Sequence, residues 1–200
     1  MFSNPFHLTC LRKPRRYLVA KIQCYNRFRC ERSFTDLYFF RTKGKDTVAE
    51  VNRTNSIIST NWILNIDKRL PLRLVIKEVI KLQEKKRNEV AHKNELAQNY
   101  YSYADSIGKN IGFLSFTKVY YKMEKPKFGV VIFFAKTNKI QVNSFTIERI
   151  ELQEYLNNMP SDKPNKFQFC FAKDMSYGNY IQNEIFIRSL KIDTNEEFVC

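Results

Sequence analysis

The stretch LPLRLVIKEVIKLQEKKRNEVAHKNELAQNYYSYA, residues 70–104, is the longest segment of this chain with a helical pattern. Leu72, Val75, Ile76 and Val79 recur three or four residues apart, as on one apolar face of an α-helix. That face is interrupted by the polar residues 83–89 and resumes at Val90. We therefore predict one long central helix over residues 70–104, with a polar gap in its middle.

On both sides of this helix the sequence favours strands. Trp62, the only tryptophan, lies in the apolar segment 56–66, for which the sequence allows a strand or a short helix, and it is expected to anchor the core. Beyond residue 106 the pattern becomes strand-like in residues 111–121, 128–135, 140–147, 167–172 and 184–192, with a short helix at 148–158 and a four-residue hairpin loop at 136–139. The sequence thus predicts an α+β fold with one long central helix, a mostly antiparallel sheet and a short second helix.

The domain organisation follows composition. Residues 1–30 form a basic N-terminal segment, residues 31–106 a basic region with the long helix, and residues 107–200 a β-rich region that we expect to share one domain with the preceding region. A length of 200 residues and an apolar fraction of 44% suffice for one sizeable core. No apolar run reaches the roughly 20 residues of a membrane-spanning helix, so we predict no membrane span.

Positive charge is concentrated in the first half of the chain. Residues 1–100 hold 10 Lys and 11 Arg against 9 acidic residues, a net +12, whereas residues 101–200 hold 11 Lys and 2 Arg against 11 acidic residues, a net +2. Arginine matches phosphate geometry better than lysine does. A basic, aromatic-rich half indicates a polyanionic partner, RNA or DNA, although basic charge also serves solubility or an acidic membrane surface.

The N-terminal arginines are the predicted nucleic-acid contacts. Residues 1–30 contain no Asp or Glu. An acid-free, Arg-rich start is typical of a basic arm on a phosphate backbone and also of a mitochondrial presequence. Pro5 and Pro14 interrupt a presequence helix, which favours a retained segment. The predicted contacts are Arg12, Lys13, Arg15, Arg16, Arg27, Arg29 and Arg32.

The cysteines indicate a reducing, intracellular compartment, and the acid-free, Arg-rich N-terminus makes the mitochondrial matrix one alternative. There are five of them, an odd number, without a C-x-x-C motif or a secretory signal. His7, Cys10, Cys24 and Cys30 do not follow the spacing of a standard zinc knuckle, so ordinary packing is favoured. We expect no metal site and no cofactor.

One hexapeptide of the long helix carries residues suited to catalysis: Arg87-Asn88-Glu89-Val90-Ala91-His92. It resembles the motif of the HEPN family (higher eukaryotes and prokaryotes nucleotide-binding), in which Arg, a polar residue, three further residues and His lie on a helix. The resemblance covers six residues and implies metal-independent RNA cleavage by the adjacent 2′-hydroxyl. Arg87 would stabilise the phosphate, His92 would move protons and Asn88 would orient the site.

The angular positions of these residues suggest a composite site. At about 100° per residue, His92 lies roughly 140° around the helix from Arg87. The two side chains can therefore converge only through the length of Arg87, a distortion of the helix or a second copy of the chain. The alternative is a solvated helix face with one exposed histidine. A homodimer is therefore one expectation.

Three functions remain open from the sequence. The first is a non-enzymatic α+β protein that binds nucleic acid, RNA rather than DNA, through its Arg-rich first half. The second is a HEPN-like ribonuclease that acts through Arg87 and His92. The third is a structural subunit of a ribonucleoprotein or organellar assembly.

Overall fold

Three helices and eleven strands make up the part of the chain described by the structure, a computed structural model. The described residues are 33–43, 46–51, 59–90, 94–105, 108–160, 166–190, 192 and 195–200, with the backbone alone for 33–51. The strands are β1 (Ser33–Lys43), β2 (Asp46–Val51), β3 (Trp62–Ile66), β4 (Asn99–Asp105), β5 (Asn110–Ser115), β6 (Tyr120–Lys122), β7 (Val130–Phe134), β8 (Ile140–Val142), β9 (Phe145–Ile147), β10 (Phe167–Phe171) and β11 (Glu196–Val199). The helices are α1 (Leu72–Asn88), α2 (Arg149–Asn157) and α3 (Tyr177–Ser189). The predicted α+β class is confirmed.

The strands form two mixed sheets. The first sheet has the order β2-β1-β3-β4-β5, with parallel pairs in its centre and an antiparallel pair at each side. The second has the order β6-β11-β10-β7-β8-β9, parallel from β6 to β7 and antiparallel from β7 to β9. Five of these nine pairings are parallel, so the predicted mostly antiparallel sheet was wrong. Helices α1, α2 and α3 each separate two strands in the chain, and such crossovers permit parallel neighbours.

Helix α1 is shorter than the predicted helix. It ends at Asn88, where Glu89 turns to an extended conformation with φ −71° and ψ 128°. Val90 is 89% exposed and Leu96 84% exposed, so the apolar residues expected to continue the buried face do not pack on the core. The tyrosines that follow lie on strand β4, where Tyr101 is buried.

Helix α3 overlaps a predicted strand. Residues 184–192 were expected to form a strand, but they belong largely to this helix, which Ser176 caps by accepting a hydrogen bond from the Asn179 N–H, at 3.3 Å. The buried face of α3 includes the polar side chains Asn183 and Glu184. A search for apolar periodicity misses a helix whose buried face is partly polar.

Several local predictions are confirmed. Helix α2 lies where the short second helix was expected, and strands β7 and β8 form the hairpin around residues 136–139. Trp62 is 1% exposed, as expected of a core anchor. The segment 140–147 forms two strands rather than one, because Asn143 and Ser144 adopt positive φ angles of 47° and 77° in a tight turn. The segment 111–121 also divides, into β5 of the first sheet and β6 of the second.

Most of the buried apolar side chains of the two sheets belong to one hydrophobic core, which also includes the buried apolar residues of α1 and most of those of α3. Residues 31–200 form one compact unit. The N–H groups of Tyr177 and Gly178, at the start of α3, donate to the carbonyls of Leu70 and Lys68, which precede α1. A side chain at Gly178 would place its Cβ 3.1 Å from the Cβ of Lys68, so this close approach favours glycine.

Cys170 in β10 and Cys200 after β11 form a disulfide bond. The reducing compartment that the odd cysteine count indicated stays a prediction.

Candidate nucleic-acid interface

The exposed face of α1 carries a basic stripe, defined as Arg73, Lys77, Lys81 and Lys85. These four residues are spaced four apart, and all are exposed, whereas Leu72, Val75, Ile76 and Val79 on the opposite face are buried. Residues four apart lie one above the other on a helix. The apolar spacing that buries one face therefore leaves a continuous row of cations on the other.

Two cations of the basic stripe form ion pairs. Arg73 Nε lies 3.2 Å from Asp174 Oδ1, and Lys81 Nζ lies 2.7 Å from Glu78 Oε1. Within the described part of the chain, no salt bridge involves Lys77 or Lys85. Helix α1 as a whole has six cations against Glu78 and Glu84, a net +4. The helix thus retains an excess of positive charge for an external anion.

The buried side of the last turns of α1 is held by side-chain hydrogen bonds. Gln83 Nε2 donates to the carbonyls of Phe116 and Val119, both at 3.1 Å. Lys86 Nζ donates to Thr60 O at 2.9 Å and to Asn99 Oδ1 at 2.7 Å, and it lies 4.7 Å from the ring centroid of Trp62. Burial lowers the pKa of Lys86 to about 8. Lys86 therefore belongs to the packing of the helix and not to the basic stripe.

Arg87, a predicted catalytic residue, is engaged within the fold. One terminal nitrogen of its guanidinium donates to Val119 O at 3.0 Å and to Thr117 O at 3.3 Å. The guanidinium carbon also lies 4.0 Å from the ring centroid of Tyr120. These contacts fix Arg87 against residues 117–120. Arg87 therefore has a role in packing, which the prediction of a catalytic role did not include.

Of the other two predicted catalytic residues, Asn88 and His92, the structure describes only Asn88. Asn88 is exposed at the end of α1, and His92 lies outside the described residues. The proposed relation between Arg87 and His92, within one chain or across a dimer, stays a prediction.

Replacement of Arg87 by alanine is expected to lower the free energy of unfolding by about 1–3 kcal/mol, because two carbonyls lose a charged donor and Tyr120 loses its cation. Urea unfolding monitored by circular dichroism would measure this change. The exposed Lys85→Ala variant is the control, for which we expect a change within about 0.5 kcal/mol. A fully stable Arg87→Ala variant would contradict the packing role, and loss of RNA cleavage without loss of stability would favour the ribonuclease prediction.

The predicted N-terminal contacts lie outside the described residues. They are Arg12, Lys13, Arg15, Arg16, Arg27, Arg29 and Arg32. The contacts predicted from the sequence did not include the basic stripe. The missed signal was the four-residue spacing of cations in 73–85, which is visible in the sequence as the complement of the apolar pattern.

Other ligand classes find less support in the described residues. There, no group of three or more His, Cys, Asp or Glu side chains is arranged to hold a metal ion. None of the three helices combines the length and apolar character needed to cross a membrane. An open groove of about 410 Å³ beside α2 is lined by Glu151, Glu154, Tyr155, Asn158, Met159 and Pro160. Its carboxylates make it an unsuitable site for a phosphate group.

Fold and site together define a two-sheet α+β protein with a basic helix face. Comparison of the chain with protein-family models, curated proteins and solved structures gave no significant match.

Proposed function

We propose that this protein binds nucleic acid without cleaving it, and that RNA is its preferred ligand. The observation that carries the proposal is the basic stripe on α1. The acid-free, Arg-rich residues 1–30 add a second source of positive charge on the same chain. Both features favour a polyanion with regularly spaced charges.

The spacing of the basic stripe suits a phosphate backbone. A helix rises about 1.5 Å per residue, so neighbouring cations lie about 6 Å apart along the axis and the four extend over about 18 Å. A flexible single strand can align successive phosphates with such a row. Each phosphate that is neutralised releases counterions, which supplies most of the binding free energy for sequence-independent recognition.

A single strand suits the position of α1 better than a duplex does. The face of α1 opposite the basic stripe is buried in the core, so only one side of the helix is open to a ligand. A helix in this position contacts a backbone from one side. Insertion into a major groove requires a helix that projects from its domain, and the major groove of duplex RNA is too narrow for side chains to read.

The test is fluorescence anisotropy with the full chain and a labelled single-stranded RNA of about 20 nucleotides. We expect affinity to fall steeply between 50 and 200 mM salt, as phosphate contacts require. The test variant combines three substitutions, Lys77→Gln, Lys81→Gln and Lys85→Gln. We expect it to bind the RNA about 10–100-fold more weakly than the wild type. The slope of log affinity against log salt concentration should become shallower by about 2, at roughly 0.7 per lost phosphate contact on a single strand.

The matched control replaces three exposed lysines outside α1: Lys125→Gln, Lys136→Gln and Lys139→Gln. This variant has the same net charge as the first, and we expect it to lose less than about 3-fold in affinity, since long-range charge alone is screened. Equal losses in the two variants, or an affinity independent of salt, would rule out the basic stripe as the interface. Duplex DNA and vesicles with anionic lipid complete the comparison, and tighter binding to either would contradict the preference for RNA.

A further inference from the structure

A buried network of tyrosine hydroxyls ends on a carboxylate at the place where the two sheets meet α3. Tyr101 OH in β4 donates to Tyr121 OH in β6 at 3.0 Å. Tyr121 OH lies 3.2 Å from Tyr180 OH in α3, which donates to Glu197 Oε2 in β11 at 2.8 Å. The network therefore joins the first sheet, the second sheet and helix α3.

A second carboxylate, Glu184, lies on α3 one turn after Tyr180 and is as buried as Glu197, each being 5% exposed. Among the described residues, Glu184 Oε1 has no hydrogen-bond partner, and neither has the hydroxyl of Tyr177 one turn before Tyr180. A buried ionised carboxylate without a partner is costly. Glu184 Oε1 thus lacks the hydrogen bond that would stabilise a negative charge on this oxygen.

The charges around the two carboxylates do not balance. The titratable groups that face them are Tyr101, Tyr121, Tyr177, Tyr180 and Arg188. Burial raises the pKa of all four tyrosines well above the usual value, so they stay neutral at physiological pH. Arg188 is exposed and donates to the carbonyl of Ser115. One exposed cation faces two buried carboxylates, and a bound proton is the simplest remaining counter-charge.

We propose that Glu184 and Glu197 form a buried proton-binding site, and that one proton held by this pair keeps α3 packed at the junction of the two sheets. The two carboxylates share this proton, because each raises the cost of ionising the other, while the hydrogen bond from Tyr180 stabilises Glu197 when that carboxylate is ionised. Release of the proton leaves two like charges in the core. Helix α3 then loosens from β11, which makes the junction sensitive to pH.

The direction of the pH dependence follows from burial. Burial raises the pKa of Glu184 from 4.5 to about 7, and burial together with the charge of Glu184 raises the pKa of Glu197 well above 4.5. An unfolded chain releases these protons near pH 4.5, whereas the folded chain retains one up to about pH 7. Stability from this site is therefore complete below about pH 4.5 and is lost as the pH rises to about 7.

Hydrogen exchange of the full chain, measured at pH 5 and pH 8 and corrected for intrinsic rates, tests the proposal. We expect protection of amides in α3 and β11 to fall about tenfold or more at pH 8, and to change little in Glu184→Gln, which cannot ionise. The exposed Glu151→Gln variant should behave as the wild type does. Equal pH effects in wild type and Glu184→Gln would overturn the proposal.

A second measurement keeps the test decisive if Glu184→Gln does not fold. Tyr180→Phe removes the hydrogen bond that favours ionised Glu197, so the pH at which α3 loses protection should move upward. Infrared spectroscopy of the wild type should show a protonated buried carboxyl group at pH 6, and its absence would contradict a bound proton.

Discussion

Replacement of Trp62 by alanine is expected to lower the free energy of unfolding by about 3–5 kcal/mol, the range for large aromatic side chains deleted from a core. Trp62 begins β3, a central strand of the first sheet, and is 1% exposed. Its ring also lies 4.7 Å from the ammonium of Lys86, which would lose a favourable neighbour while remaining buried. The loss should therefore lie in the upper part of this range.

Urea unfolding followed by circular dichroism is the suitable measurement, because Trp62 is the only tryptophan and its replacement removes the tryptophan fluorescence signal. Phe128→Ala is the control, since Phe128 is 80% exposed and its deletion should change stability by less than about 0.5 kcal/mol. Similar losses in the two variants would show that Trp62 does not anchor the core.

The parts of the fold that the sequence predicted are those set by local rules. The three- and four-residue spacing in 72–82 predicts the buried face of α1, and four residues between two apolar runs predict the β7–β8 hairpin. These features depend on side chains close together in the chain. The pairing of β3 with β4, or of β10 with β7, depends on which distant strands meet, and apolar periodicity contains no information about that.

The errors arose where tertiary contacts override the local pattern. Val90 and Leu96 continue the apolar spacing of α1 in sequence, yet both are exposed after the helix has ended. Glu184 interrupts the apolar pattern of α3, yet it is buried against the tyrosine network. A pattern of apolar and polar residues cannot identify a buried glutamate, because the groups that surround it in the core come from distant parts of the chain.

The candidate interface was predicted as a property of the first half of the chain and not as a surface. Net charge indicates a polyanionic partner without a location. The basic stripe supplies a location within α1, since the fold buries the other face of that helix. Arg87 is the opposite case. Its charge belongs to the net charge from which binding was predicted, but in the folded chain its guanidinium donates to the carbonyls of Thr117 and Val119.

Replacement of Phe171 by alanine is expected to cost about 3–5 kcal/mol as well. Phe171 is fully buried at the end of β10, with its ring stacked on Phe134 at a centroid distance of 5.2 Å and edge-on to Tyr180 at 5.0 Å. The variant leaves a cavity between the second sheet and α3. Phe171→Leu retains much of the volume and should lose less. Thermal unfolding at a fixed pH would rank the two variants.

The same replacement separates packing from protonation at the junction of the sheets. A cavity beside Tyr180 that admits water would reduce the desolvation of Glu184 and return its pKa from about 7 toward 4.5. In Phe171→Ala, the loss of stability between pH 4.5 and 7 should therefore be smaller than in the wild type. We expect no such change in Phe171→Leu, or in Phe145→Ala, whose replaced side chain is 67% exposed. If Phe171→Ala lowers stability equally at pH 5 and at pH 7, the cavity stays dry and the pKa of Glu184 does not depend on this ring. If it lowers stability more at pH 5 than at pH 7, the packing of β10 against α3 is what keeps the proton in place.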